Sequence, residues 1–361
     1  MMRKFKAVWV IGLILMAIGS SEVSAASAND AVYNFGKLIG ELAVSESLKN
    51  MYGKGVIPDS DNLIVMSNAG YAEIGGYSTQ AALDGLSSIG VSRGRLNLLE
   101  IHSAFNMPLW FAIYDKASGL CSYLQVNPAL TQIADLFSIN TIEKINAEHL
   151  YANAAAYNEK FNKGIFGGNE FRIVTIMNAI AKGAPTYAAR AFEFHDHYCP
   201  GITSGILMVN YLKKQFSLTS GGSYFVQGIQ PWCKEDALMV LLNATPGKTG
   251  YAAVYANAAD IATWKTEAKD AANIIYRQDG KTKKWDGVVL GFIWATDTGC
   301  PNYDNNGTIT KLCSDLWYLN RMDQPELFVK EIKRFDLPEG LAPKDWARPG
   351  VDPMQKLGLV Q

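Results

Sequence analysis

Phe194-His195-Asp196-His197-Tyr198-Cys199-Pro200-Gly201 is the stretch from which the rest of this chain is read. The 361 residues hold four histidines and five cysteines; two of the histidines and one cysteine fall within five consecutive positions here. Imidazole and thiolate are the donors that borderline-soft ions such as zinc prefer, so this concentration marks a candidate metal site. At a two-residue spacing His195 and His197 share one face of an extended strand, and Cys199 continues that period. Pro200 disfavours helix at Cys199 and favours one just after it, with Gly201, Thr203 and Ser204 in the opening turn. Cys199 is therefore expected at the positive end of a helix over 203–216, where a thiolate forms more readily. The competing reading is a polar strand end beside an inert buried cysteine.

Working outward, Cys233 precedes a helical stretch, 234–242, whose first turn carries Glu235 and Asp236. It is the candidate fourth ligand of a two-histidine, two-thiolate set, with Trp232 beside it as a screen against water. Thr245-Pro246-Gly247-Lys248-Thr249 imitates the end of a phosphate-binding loop, but Leu242 stands where the upstream glycine is required, which excludes a nucleotide site. Two readings remain for that turn: Thr245 and Lys248 face a ligand, or Lys248 is a solvated turn lysine. Glu100 and His102 either face a cleft or form a packing pair, and His149 is expected in solvent. Cys300 and Cys313 bracket a turn-rich loop, 301–307, and are expected to pair as a local disulfide, leaving Cys121, Cys199 and Cys233 available. No Gly-x-Ser-x-Gly elbow or His-Glu-x-x-His helix is present.

The first 28 residues read as a secretory leader. Arg3, Lys4 and Lys6 precede an apolar run over 8–18, and Ala26-Ser27-Ala28 or Val23-Ser24-Ala25 fits the cleavage pattern. The run is shorter than the roughly 20 residues of a membrane span. A soluble product beginning near Asn29, periplasmic or otherwise extracytoplasmic, with no stable membrane span after cleavage, is the expectation. A formal net charge of -1, with 19% charged residues, supplies no field to attract nucleic acid. Hydrophobic residues at 48% are enough for a sizeable core.

Periodicity predicts helices over 31–52, 79–89, 128–136, 141–161, 203–216, 234–242 and around 263–275. It predicts strands over 63–66, 96–101, 109–114, 120–126, 251–255 and 288–295. Helices and strands mix without regular alternation, so the expected class is α+β, a mixed sheet packed with helices. The division is an N-terminal α+β region over 29–150, a metal-binding domain over 151–330 and an extended surface tail over 331–361. Residues 82–96 echo 235–249 as helix, tight Gly-basic turn and apolar strand. Either the first half is a decayed duplicate without the His-x-His-x-Cys element, or two helix-turn-strand units look alike.

Phe194, His195, His197, Cys199, Pro200, Gly201 and Gly205 resemble the F-H-x-H-x-C-P-G-x-x-x-G signature of the FmdE family, which takes its name from formylmethanofuran dehydrogenase. Cys233, Asp236, Ala237, Leu241, Thr245, Gly247 and Lys248 resemble its second block, C-x-x-D-A-x-x-x-L-x-G-x-T-x-G-K. Asn243 replaces the usual glycine there and Ala244 a frequent cysteine. The resemblance covers roughly 187–296. It implies an α+β core in the second half, a metal ion, commonly zinc, near the His/Cys motif, and a homodimer. No CxxC pair for an appended zinc ribbon is present. Formylmethanofuran oxidation itself requires molybdenum or tungsten and iron–sulfur proteins, for which the chain has no cysteine set. The expected function is that of an exported protein using His195, His197, Cys199 and Cys233 to hold zinc or another transition metal, catalytic or redox-linked. The alternatives are a non-catalytic carrier of a metal or metal-containing cofactor, and a thiol redox protein using Cys199 and Cys233.

Overall fold

Leu63-Ile64-Val65-Met66-Ser67 is apolar on both parities, as a strand covered on both faces should be, and it forms β1 (Leu63–Ser67), buried at every position. The computed structural model that shows this describes residues 25–129, 135–305 and 307–361. The expected leader lies outside the described residues except for its last four, and the helix expected over 128–136 lies mostly outside them. The architecture is α+β, with parallel and antiparallel pairings in the same sheets. No described helix is long and apolar enough to cross a membrane.

The chain divides into two compact units. The first runs to His197 and takes in Pro301–Cys313; the second holds Tyr198–Cys300 and Ser314–Gln361. The break expected at 150/151 thus falls after His197.

The first unit begins with α1 (Ala25–Gly53), then β1, the short hairpin β2 (Glu73–Ile74) and β3 (Tyr77–Ser78), and α2 (Ala82–Leu86). Next come β4 (Leu98–Glu100), β5 (Trp110–Asp115), β6 (Leu120–Val126) and β7 (Phe137–Lys144). The sheet order is β4-β1-β5-β6-β7, with β4 parallel to β1 and the rest antiparallel. Its core joins Ile39 and Ala43 of α1 and Leu83 and Leu86 of α2 to Leu63, Val65, Phe111, Ile113 and Leu124 of the sheet. Helices α3 (Ala147–Ala152), α4 (Ala154–Asn162), α5 (Glu170–Ala181) and α6 (Thr186–His195) follow. The single helix expected over 141–161 is wrong at its start. Residues through Lys144 extend β7 along the whole of β6, where Thr141 and Ile142 suit a pleated ladder better than a helix.

The second unit contains α7 (Pro200–Gln215), β8 (Ser223–Gly228), α8 (Lys234–Leu242), β9 (Tyr251–Ala253), α9 (Ala258–Ala262), β10 (Ala271–Gln278) and β11 (Trp285–Phe292). α10 (Thr308–Leu319) belongs to the first unit up to Cys313 and to the second from Ser314, and β12 (Val329–Asp336), α11 (Pro343–Trp346) and α12 (Pro353–Lys356) follow. The sheet order is β12-β11-β10-β8-β9, with β9 parallel to β8. The helix expected around 263–275 is overturned at its end: β10 begins at Ala271 and lies between β8 and β11, hydrogen-bonded to both. Nor is 331–361 a surface tail. Trp346, Met354, Leu357 and Leu359 are buried against Ile274, Tyr276 and Val289. Pro343 and Pro353 start helices there, because the first helical position needs no N–H.

The two sheets share one topology: a helix, a strand, a second helix, a parallel neighbour strand, then a three-stranded antiparallel meander. The helix contacts repeat as well. A Cβ at Gly201 of α7 would lie 2.7 Å from the Cβ of Cys233, and one at Gly36 of α1 would lie 3.0 Å from the Cβ of Ala81. Four residues on, a Cβ at Gly205 would collide with the Lys234 carbonyl, and one at Gly40 with the Ala82 carbonyl. In both units a small-residue face lets the long helix lie directly on the backbone of the short one. The correspondence puts Ala81 where the second unit has Cys233, and Asn34 where it has Cys199.

Candidate metal centre

Ala188, Ala189, Ala191 and Phe192 give α6 its buried face, and the helix ends at His195 because Asp196 takes the left-handed conformation at φ 68°. Asp is among the few residues that enter that region at low cost. Tyr198 follows, fully buried, its hydroxyl donating to the Asp315 carbonyl at 2.9 Å. Cys199 is extended (φ -148°, ψ 166°) and caps α7, with Pro200 in the first turn. The expected strand carrying His195, His197 and Cys199 on one face is therefore not what forms. A helix end, a left-handed residue and a helix start bring the three side chains together instead.

Each donor is held by its surroundings. The rings of His195 and His197 have centroids 4.3 Å apart, and His197 also packs on Phe171 at 5.1 Å. Nδ1 of His197 lies 2.6 Å from Asp196 Oδ1, while Asp196 Oδ2 accepts from Arg172 at 2.7 Å. Burial works to raise the Asp196 carboxyl, but the bonds from His197 and Arg172 outweigh it and hold it below its usual range. A carboxylate on one ring nitrogen fixes the tautomer and leaves Nε2 for an ion. The end of α6 is pinned from the segment that follows β4: the His102 N–H donates to the Glu193 carbonyl at 3.0 Å, and His102 Nδ1 lies 3.2 Å from the Phe194 carbonyl. Glu193 in turn accepts from the Glu100 N–H at 3.0 Å and pairs with Arg93 and Arg190. His102 and Glu100 thus satisfy and anchor the helix terminus that carries His195.

Cys199 Sγ accepts from the Ile202 N–H at 3.5 Å, and Cys233 immediately precedes α8. Both sulfurs therefore sit at the positive ends of helices. The Cys199 thiol is nevertheless pushed up, first by its hydrogen bond with Cys233 and then by burial, a balance that a dication would reverse. Donor atoms of His195, His197, Cys199 and Cys233 all lie within 4.8 Å of one another. Donors around a tetrahedral zinc with bonds of about 2.0–2.3 Å stand roughly 3.3–3.8 Å apart, which falls inside that limit.

The turn that carries Thr245 and Lys248 follows the C-terminus of α8, and Lys248 donates to Asn243 there. Cys300 and Cys313 are both disulfide-bonded, whereas Cys121, Cys199 and Cys233 lie outside any disulfide. His149 stands edge-on to Tyr157 at 5.5 Å. Asp196 could have been suspected from its place between two histidines. Arg172, on another helix, leaves no signal in the local sequence.

Residues 194–290 match the family model described as FmdE, Molybdenum formylmethanofuran dehydrogenase operon. The match lies in the second half of the chain, and the matched segment holds all four residues of the cluster. No curated protein matches the chain.

Proposed function

We propose that this FmdE-domain chain is an exported metal-binding protein in which His195, His197, Cys199 and Cys233 hold one transition-metal ion, zinc before others. The observation that carries the reading is the convergence of the four donor atoms within 4.8 Å. Two imidazoles and two sulfurs suit a tetrahedral ion of borderline softness. Asp196 and Arg172 supply the outer support that ligating histidines commonly have. Four protein donors close such a site, which favours holding or carrying the ion over turnover at an open position.

Elemental analysis of the purified protein tests this. About one equivalent of metal is expected, lost in His195→Ala and in Cys199→Ala. Metal retained in both variants removes the site. A Cys199–Cys233 disulfide in the native protein, without metal, would favour the thiol redox reading instead.

A further inference from the structure

Two tryptophans of the second unit are exposed, Trp232 to 57% and Trp294 to 40%, and Trp232 directly precedes Cys233. Large aromatic side chains left in water next to a binding site call for an occupant. The rings stand 6.0 Å apart with 70° between their planes, forming an open corner. A Cβ at Gly201 would lie 3.0 Å from Cys233 Sγ and 3.4 Å from Trp232 Cε2, so the ring and the sulfur border the same point.

The corner is rigidly built. The Trp232 N–H donates at 2.7 Å to the buried carboxylate of Glu235, which Asn273 (3.0 Å) and Lys234 also hold. Taking a Lys–Glu pair out of water is costly; here the pair anchors the loop that carries Trp232 and Cys233. Trp294 rests on Phe292 at 4.5 Å and Tyr318 at 6.1 Å, and the Tyr318 hydroxyl accepts the N–H of the next residue, Ala295, at 3.0 Å. Neither tryptophan must be ordered when a ligand arrives, which favours a platform over a mobile surface. The cavity of about 390 Å³ lined by Ile229, Trp264, Val351 and Met354 includes none of the donors or these two rings.

We infer that Trp232 and Trp294 form a stacking platform for a flat aromatic ligand, whose ring lies on the tryptophans beside Cys233. A perpendicular pair of rings offers one face for stacking and one edge for a T-shaped contact, the two arrangements aromatic groups prefer. With two thiolates balancing a dication, the centre carries no net charge, so flatness rather than charge selects the ligand. The inference rests on the metal reading only for the neutral charge beside the platform, and on the tryptophans alone for the ring.

Naphthalene-2-carboxylate and its decahydro counterpart carry the same charge and no second donor, and differ in flatness. Titrated into the whole protein by tryptophan fluorescence and calorimetry, the flat probe is expected to bind about tenfold more tightly or better. That preference disappears in Trp294→Ala and partly returns in Trp294→Phe, with circular dichroism and metal content unchanged. Equal binding of the two probes overturns the inference, as does a preference that survives in Trp294→Ala. A wild-type dimer that Trp294→Ala dissociates, with no preference for the flat probe, would make this face a dimer interface and also overturn it. If Trp294→Ala does not fold, the wild-type ratio of the two probes decides. Metal content is measured on the same samples: wild-type protein without metal sinks the preceding proposal, yet leaves the ring preference standing.

Discussion

Asp196 connects the local fold to the chemistry. It terminates α6 in the left-handed conformation, orients His197 through Nδ1 and is itself held by Arg172. Asp196→Asn keeps the size and the tolerance for that backbone but loses the charge. Metal affinity is expected to fall about 10–100-fold, read by competition with a chromophoric chelator. An unchanged affinity would reduce Asp196 to a helix terminator. The histidines and cysteines are legible because residue types so chemically specific are scarce in this chain and crowd into one segment. Arg172 is not, since its role depends on α5 lying beside the turn. His102 stands out in the sequence without a role, because main-chain carbonyls as partners leave no trace in side-chain chemistry.

The elements themselves are mostly readable. Helices α1, α7 and α8 and strands β1, β5 and β6 follow from apolar periodicity, with Pro200 marking the start of α7. Periodicity fails where pairing overrides local preference: β7, β10 and the C-terminal segment owe their form to neighbours far along the chain. It also misjudges the motif, because an i, i+2 spacing suits a strand until a left-handed residue intervenes. At this scale the close approach of α7 and α8 sets the position of Cys233. Gly201→Ala is expected to destabilise the fold by about 1–3 kcal/mol and to weaken metal binding at least tenfold, since the new methyl meets both Cβ and Sγ of Cys233. Gly36→Ala, at the corresponding contact with Ala81, is the control: it should cost stability in a denaturant titration and leave metal affinity alone. Equal metal affinity in both variants would show that helix spacing does not set the site.

Among the described residues, one topology occurs twice and one four-residue His/Cys cluster once. Asn34 and Ala81 stand at the first unit's counterparts of Cys199 and Cys233, and α1 runs unbroken where the second unit has its histidine turn. This is why one ion per chain is expected. The C-terminal segment completes the second core, so Trp346→Ala should cost about 3–5 kcal/mol in urea unfolding. A loss below about 1 kcal/mol would return that segment to the surface. The sequence by itself determined the α+β class, which histidines and cysteines to consider together and the hint of duplication, because side-chain chemistry and hydrophobic period are written locally. Only the tertiary structure decided that Cys233 gathers with the two histidines and Cys199 within 4.8 Å, and that the prolines near the C-terminus open buried helices. Those outcomes depend on which backbones can approach one another, and close approach is a property of packed pairs of elements that neither element encodes alone.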